Sequence, residues 1–244
     1  MNLLTIGNSF SCDATRYLHG IARADKKDLE IINISIGGCS LERHYRNMLG
    51  DKRDYLLEVN GQKTNFAVSM KEALLSQQWD VITLQQLSYQ ASKPESYQPY
   101  LNEVATYVRQ LQPKAKLLIH ETWAYEADTP RLREKGGFET PEDMMAAVKS
   151  AYYAAAKDIN ADGVIPCGEA LLDVIHRGAA SVHRDTSHAS LGLGRYTLGL
   201  MWYRCLFNKP VADNPFCDWD VPVTDEERDM AKAAVDALGL VKVY

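Results

Sequence analysis

Short apolar runs alternate with longer stretches in which apolar residues recur every three or four positions. Residues 3–6, 29–36, 81–84, 116–120 and 163–166 are runs of strand length. Helical spacing occupies about 13–24, 41–49, 69–77, 97–111, 141–159 and 191–207, and Thr140-Pro141-Glu142-Asp143 supplies a cap, a first-turn proline and first-turn acids for the fifth of these. Strands separated by helices predict an α/β fold, a five-stranded parallel sheet with helices on both faces. Two segments depart from the pattern. Around 54–67, Asn60-Gly61 lies between two alternating runs, a strong hairpin signal, and predicts a small antiparallel insertion. Residues 123–140 are polar, contain Pro130, Gly136 and Gly137, and are too long for an ordinary connection. Placed after the fourth strand, they are expected to overhang the sheet edge and shape a substrate site.

A chain of 244 residues that is 46% hydrophobic fits one domain spanning 1–244. Its net charge of −5 comes without basic clusters, which argues against a nucleic-acid surface and an anionic-membrane patch. No apolar stretch approaches bilayer length. Cys12, Cys39, Cys167, Cys205 and Cys217 are odd in number and scattered, with no Cys-x-x-Cys pair. They suggest neither a disulfide framework nor a zinc site, and the expected setting is a reducing cytoplasm.

The residues with chemical potential sit at opposite ends of the chain. Ser9 follows the first strand, at the edge where open α/β sheets hold ligands. Asp185 and His188 are three residues apart just before a helix start, a spacing at which one turn aims both side chains at one spot. A serine hydroxyl becomes a competent nucleophile when an imidazole takes its proton and a carboxylate orients that imidazole. A serine in Gly-Asn-Ser is by itself ordinary turn chemistry, and Asp-x-x-His recurs by chance. Their conjunction at the ends of suitable elements is what points to an esterase. His183 and His188 flank Asp185 without any established metal-ligand spacing, so no metal is expected. Cys39, in Gly37-Gly38-Cys39-Ser40 before a helix, is a rival nucleophile, although small packed filler is the commoner fate of such a cysteine. The chain has no Gly-x-Ser-x-Gly elbow.

Gly7-Asn8-Ser9-Phe10, the pair Gly37-Gly38, the stretch Asp80 to Ser88 and Asp185-Thr186-Ser187-His188 together resemble the spaced blocks of the SGNH (GDSL-like) hydrolase superfamily. The resemblance spans nearly the whole chain and is strongest to a Gly-Asn-Ser-Phe branch of bacterial proteins allied to carbohydrate acetylesterases. It implies a flavodoxin-like three-layer α/β/α sandwich, with Ser9 as nucleophile and Asp185 and His188 completing a catalytic triad. It also implies an oxyanion hole built from the Ser9 N–H, a glycine N–H from Gly38 or else Gly37, and a side-chain amide. For that amide the sequence departs from the usual Gly-x-Asn-Asp and offers Gln85-Gln86; Gln86 is the first choice and Gln85 the alternative. Trp123, Tyr125 and Tyr89 are candidate platforms for a sugar ring, though aromatics near strand ends also serve as packing. Arg195, Tyr196, Trp202 and Tyr203, at helical spacing, read as structural.

The expected function is a serine esterase that removes O-acyl groups, above all acetyl, from a carbohydrate or another small polar ester, without a cofactor. The expected partner is a small-molecule or oligosaccharide ester. The alternatives are a lipase or acyl-thioesterase, which needs a long apolar groove, and a non-catalytic carbohydrate-binding protein on the same fold.

Overall fold

Asn2–Gly7 forms β1 at the centre of the sheet, and its side chains alternate between two separate cores: Leu3 faces one and Leu4 and Ile6 the other. The computed structural model describes residues 1–242. After β1 come α1 (Ser9–Thr15), α2 (Leu18–Ala24), β2 (Glu30–Ser35), α3 (Leu41–Leu49), β3 (Tyr55–Val59), β4 (Gln62–Val68), α4 (Met70–Leu75) and β5 (Val81–Leu84). The second half contains α5 (Tyr100–Leu111), β6 (Lys116–His120), α6 (Pro141–Asp158), β7 (Gly163–Ile165), α7 (Cys167–His176), α8 (Leu193–Phe207) and α9 (Asp225–Asp236).

The sheet runs β4-β3-β2-β1-β5-β6-β7, and the five strands from β2 to β7 are parallel. Helices α3, α4, α5 and α6 cover one face, and α1, α2, α7, α8 and α9 the other. This is the flavodoxin-like α/β/α sandwich that the sequence predicts, with one difference. The hairpin is part of the sheet: β3 pairs antiparallel with β2, so seven strands form one mixed sheet. Its tip is the expected tight turn. Asn60 and Gly61 both have positive φ, 52° and 77°. A Cβ on Gly61 would lie 2.4 Å from the Arg16 carbonyl oxygen, so only glycine lets the hairpin tip rest on the end of α1.

Strand order reverses beside β1, which leads to β2 on one side while β5 lies on the other. The crevice beyond the carboxyl ends of these strands is where doubly wound sheets bind ligands, and Ser9 starts the helix immediately after β1. Helix α8 is buried almost all round, which is the form expected of a helix enclosed by its neighbours.

Glu121, just beyond β6, is fully buried, with Oε2 accepting from the Gly168 and Glu169 N–H groups at 3.2 and 3.4 Å. Burial, helped by the negative charge of Glu169, raises its pKa well above the usual carboxylate range against the pull of those N–H groups. A group whose pKa is raised by folding contributes its full stability below its unfolded pKa, about 4.3, and loses it as pH rises towards and through the folded value. Glu121→Gln keeps an acceptor for the two N–H groups and cannot ionise. Its Tm relative to wild type is expected to climb as pH rises above about 4. A difference independent of pH in thermal melts would contradict a buried neutral acid.

Candidate active site

Ser9 is placed by a short, tightly packed turn. A Cβ on Gly7 would lie 2.6 Å from Ser11 Oγ and 2.7 Å from Gln85 Oε1, so β1 can end at this point only on a glycine. Asn8 then caps α1: its Oδ1 accepts from the Phe10 N–H at 3.0 Å, and its Nδ2 donates to the Cys39 carbonyl at 3.0 Å. Ser9 occupies the first helical position, where a backbone N–H has no helical acceptor. Among the described residues that N–H meets no protein acceptor, and neither does the N–H of Gly38. Gly38 holds the left-handed conformation, φ 61°, in the exposed turn after β2.

His188 and Asp185 come from the loop between α7 and α8, as the Asp-x-x-His spacing predicts. Asp185 Oδ1 accepts from the N–H groups of Ser187 (3.3 Å) and His188 (2.8 Å), folding the loop back on itself. Thr186 is held at φ 69°, a conformation costly for a β-branched residue and maintained by these bonds and by the Glu126 N–H on its carbonyl. The two ends of the chain thereby meet. Ser9 Oγ lies 2.8 Å from His188 Nε2, and His188 Nδ1 lies 3.1 and 2.8 Å from the two oxygens of Asp185. An ionised carboxylate only accepts, so Nδ1 carries the ring hydrogen and Nε2 presents a lone pair to the Ser9 hydroxyl. Partial burial works against ionisation of Asp185, but the backbone N–H and ring of His188, aided by the Ser187 N–H, outweigh it and hold the carboxyl well below its ordinary value.

Trp123 joins both sides of this arrangement. It is 1% exposed, stacks on Phe10 at 4.0 Å between centroids, and donates from Nε1 to the Ser187 carbonyl at 2.8 Å. Its face is therefore covered by the residue next to Ser9 and is closed to a sugar, contrary to the expected platform. Tyr125 is likewise buried, with its hydroxyl 3.1 Å from Ser88 Oγ. Tyr89 is 48% exposed but carries Lys93 over its ring and lines neither cavity beside Ser9.

The glutamine pair also needs correction. Gln86 Oε1 accepts from the Leu41 and Leu87 N–H groups, both at 2.9 Å, while Nε2 donates to the Ser96 carbonyl and hydroxyl at 2.9 and 3.1 Å. Both amide hydrogens are used, which leaves none for an oxyanion. Gln85 turns towards the Ser9 loop but stops one residue short. Its Nε2 donates to Asn8 Oδ1 at 2.8 Å, and its Oε1 meets His120 Nδ1 at 2.9 Å. Cys39 is fully buried, and burial pushes its thiol up to about 12, which removes it as a nucleophile. His183 binds the Ala124 carbonyl through Nε2 at 3.0 Å.

Two cavities adjoin Ser9, and their outer wall is the hairpin. The 123–140 segment contributes to neither; it buttresses the Asp185–His188 loop through Glu126 and Ala124. The smaller cavity, about 170 Å³, is bounded by Ser35, Gly37, Leu56, Leu57 and Thr64. The larger, about 420 Å³, is bounded by charged residues of α1, the hairpin, the Asp185–His188 loop and α8. Ser9, Cys12, Glu58 and Lys63 line both. The sequence carried a signal for this wall, the Asn-Gly hairpin, but not for its position beside Ser9.

Residues 2–237 match the family model described as "Domain of unknown function (DUF4886)". A DUF4886 family protein from Bacteroides uniformis superposes with a TM-score of 0.88 at 30% identity, over 97% of this chain and 93% of its own. A candidate SGNH hydrolase from Slackia heliotrinireducens shares the fold at a TM-score of 0.60 and 22% identity, over 83% of this chain and 96% of its own. Axe2, an acetylxylan esterase from Geobacillus stearothermophilus, does so at 0.53 and 14%, over 83% and 92%. No curated protein matches the sequence.

Proposed function

The chain belongs to the DUF4886 family, and from its SGNH-hydrolase fold and the geometry at Ser9 we propose that it is a serine esterase acting through an acyl-enzyme. Its proposed substrates are O-acyl, chiefly O-acetyl, esters of a carbohydrate or another small polar alcohol. The observation that carries this reading is the contact of 2.8 Å between Ser9 Oγ and the lone-pair nitrogen of His188. Ser9 Oγ attacks the ester carbonyl carbon as its proton passes to His188 Nε2, and the cation so formed is stabilised by Asp185. The N–H groups of Ser9 and Gly38, free of protein acceptors, are the proposed oxyanion donors. His188 then gives its proton to the leaving alkoxide as the ester C–O bond breaks. A water, deprotonated by the same nitrogen, attacks the acyl carbon and restores the Ser9 hydroxyl.

The acetylxylan esterase of the same fold offers a precedent for acetyl chemistry on this scaffold. No helix among the described residues is long and apolar enough to cross a membrane. The five free cysteines accord with the proposed cytoplasmic setting.

The cavity of about 170 Å³ is the proposed acyl site, and its size favours short chains over those a lipase or thioesterase would take. For aryl esters of one alcohol, kcat/KM is expected to be highest for acetyl, lower for butyryl and minimal for octanoyl. A maximum at octanoyl would assign the protein to the lipases or thioesterases. Gln86→Ala is expected to cost about 1–3 kcal/mol for each buried donor left unpaired, read in denaturant melts, while kcat stays near normal. A large loss of kcat with unchanged stability would return this amide to the oxyanion hole.

A further inference from the structure

The lining of the larger cavity beside Ser9 carries more cations than carboxylates. Four cations line it (Arg16, Lys63, Arg184 and Arg195), against two carboxylates, Asp13 and Glu58. Neither carboxylate is free to balance them all. Asp13 is 1% exposed and already receives Arg184 Nη1 on both oxygens and Arg195 Nε on one, each at 2.9 Å. Glu58 is buried and accepts from Asn33 Nδ2 at 2.7 Å through Oε2. Asp220, which is not part of the lining, pairs with Arg16 and Arg195. Lys63 and Arg184 line the cavity from different elements. Lys63, on the hairpin, has no ion pair among the described residues. Arg184, in the loop that carries Asp185 and His188, meets Asp13 and the Ala189 carbonyl through Nη1, and among the described residues its Nε and Nη2 make no hydrogen bond.

We propose that this cavity holds the alcohol portion of the substrate and that this alcohol is an acidic sugar, its anionic group bound between Lys63 and Arg184 while its acyl group reaches Ser9. The inference rests on the esterase reading and adds the class of alcohol to it. Guanidinium donors suit the planar oxygens of a carboxylate or the oxygens of a sulfate, and a charge-assisted bond is about twice as strong as a neutral one. Glu58, which lines both cavities, accepts a sugar hydroxyl at their junction. The hairpin is thus the element that sets substrate choice.

The test compares three acetylated methyl glycosides at low and high salt: a glucuronoside, the neutral glucoside and its 6-sulfate. Wild type is expected to favour at least one acidic ester over the neutral one by about fivefold or more in kcat/KM at low salt. That preference shrinks as salt screens it. Lys63→Met is expected to bring the ratio close to one, and Lys63→Glu to invert it. Whether the glucuronoside or the sulfate is preferred identifies the anion as carboxylate or sulfate. Calorimetry on Ser9→Ala with the deacetylated glycosides provides a readout that needs no turnover, and tighter binding of an acidic glycoside is expected there. Equal turnover of all three esters, or equal binding, overturns the acidic-sugar inference and leaves the esterase reading intact. Selective binding of an acidic glycoside with no ester hydrolysed does the reverse.

Discussion

Alanine in place of Ser9 or His188 is expected to lower kcat on a short-chain aryl ester by about 10⁴- to 10⁶-fold. The double variant should be scarcely worse than either single one, because nucleophile and base act as a unit and the second removal takes away a function already lost. The 2.8 Å contact between Ser9 Oγ and His188 Nε2 is the reason. In the proposed mechanism the hydroxyl keeps its proton without the imidazole, and no acyl-enzyme forms without the hydroxyl. Each side chain is partly exposed and neither supports a core, so thermal melts of both variants are expected to remain close to wild type. Steady-state kinetics paired with those melts check the result. Losses that multiply in the double variant would mean that Ser9 and His188 act independently.

Trp123 carries the second large effect, on stability first and activity second. Trp123→Ala removes a fully buried indole from between Phe10 and the Ser187 carbonyl and is expected to cost about 3–5 kcal/mol. Trp123→Phe separates the two roles. A phenyl ring can still stack on Phe10, but nothing donates to the Ser187 carbonyl, so the loop beneath His188 loosens. Loss of one net hydrogen bond, about 0.5–1.5 kcal/mol, corresponds to roughly a two- to tenfold fall in kcat, with KM little changed. A sugar platform would give the opposite split, a raised KM at constant kcat. Chemical denaturation and full kinetics on both variants distinguish the positioning role from the binding role.

The parts of the fold legible in the sequence are those written in local chemistry. Asn60-Gly61 announces its turn because both positions need positive φ, and Thr140 announces α6 because a side-chain cap and a first-turn proline have few other uses. The meeting of Ser9 with Asp185 and His188 is legible from motif and resemblance together. Helix α7 follows Pro166 without a side-chain cap. Its apolar residues Cys167, Ala170, Leu171 and Val174 do recur at helical spacing, although no helix is expected there from the cap. Helix α9 has a capping box, Thr224 with Glu227, but only Ala231, Ala234 and Val235 on its buried face, and it escapes a reading based on apolar period. One helix expected over 13–24 is two, and the first begins at Ser9 because the Asn8 side chain caps it there. The glutamine assignment fails for a geometric reason. β5 ends at Leu84, so strand alternation does not extend to Gln85 and Gln86, and their directions are set by Asn8, His120, Leu41 and Ser96. The burial of Trp123 and Tyr125 is equally illegible, since a ring at a strand end can face solvent or core with the same local sequence.

Ser9 is proposed to be a nucleophile activated by His188. Intact-mass and peptide mass spectrometry after incubation with a fluorophosphonate ester tests it most directly, because the reagent labels a serine only where a base has made it reactive. One adduct per chain is expected, located on Ser9, forming rapidly in wild type and far more slowly in His188→Ala. An unlabelled Ser9, or labelling that proceeds equally fast without His188, would contradict it.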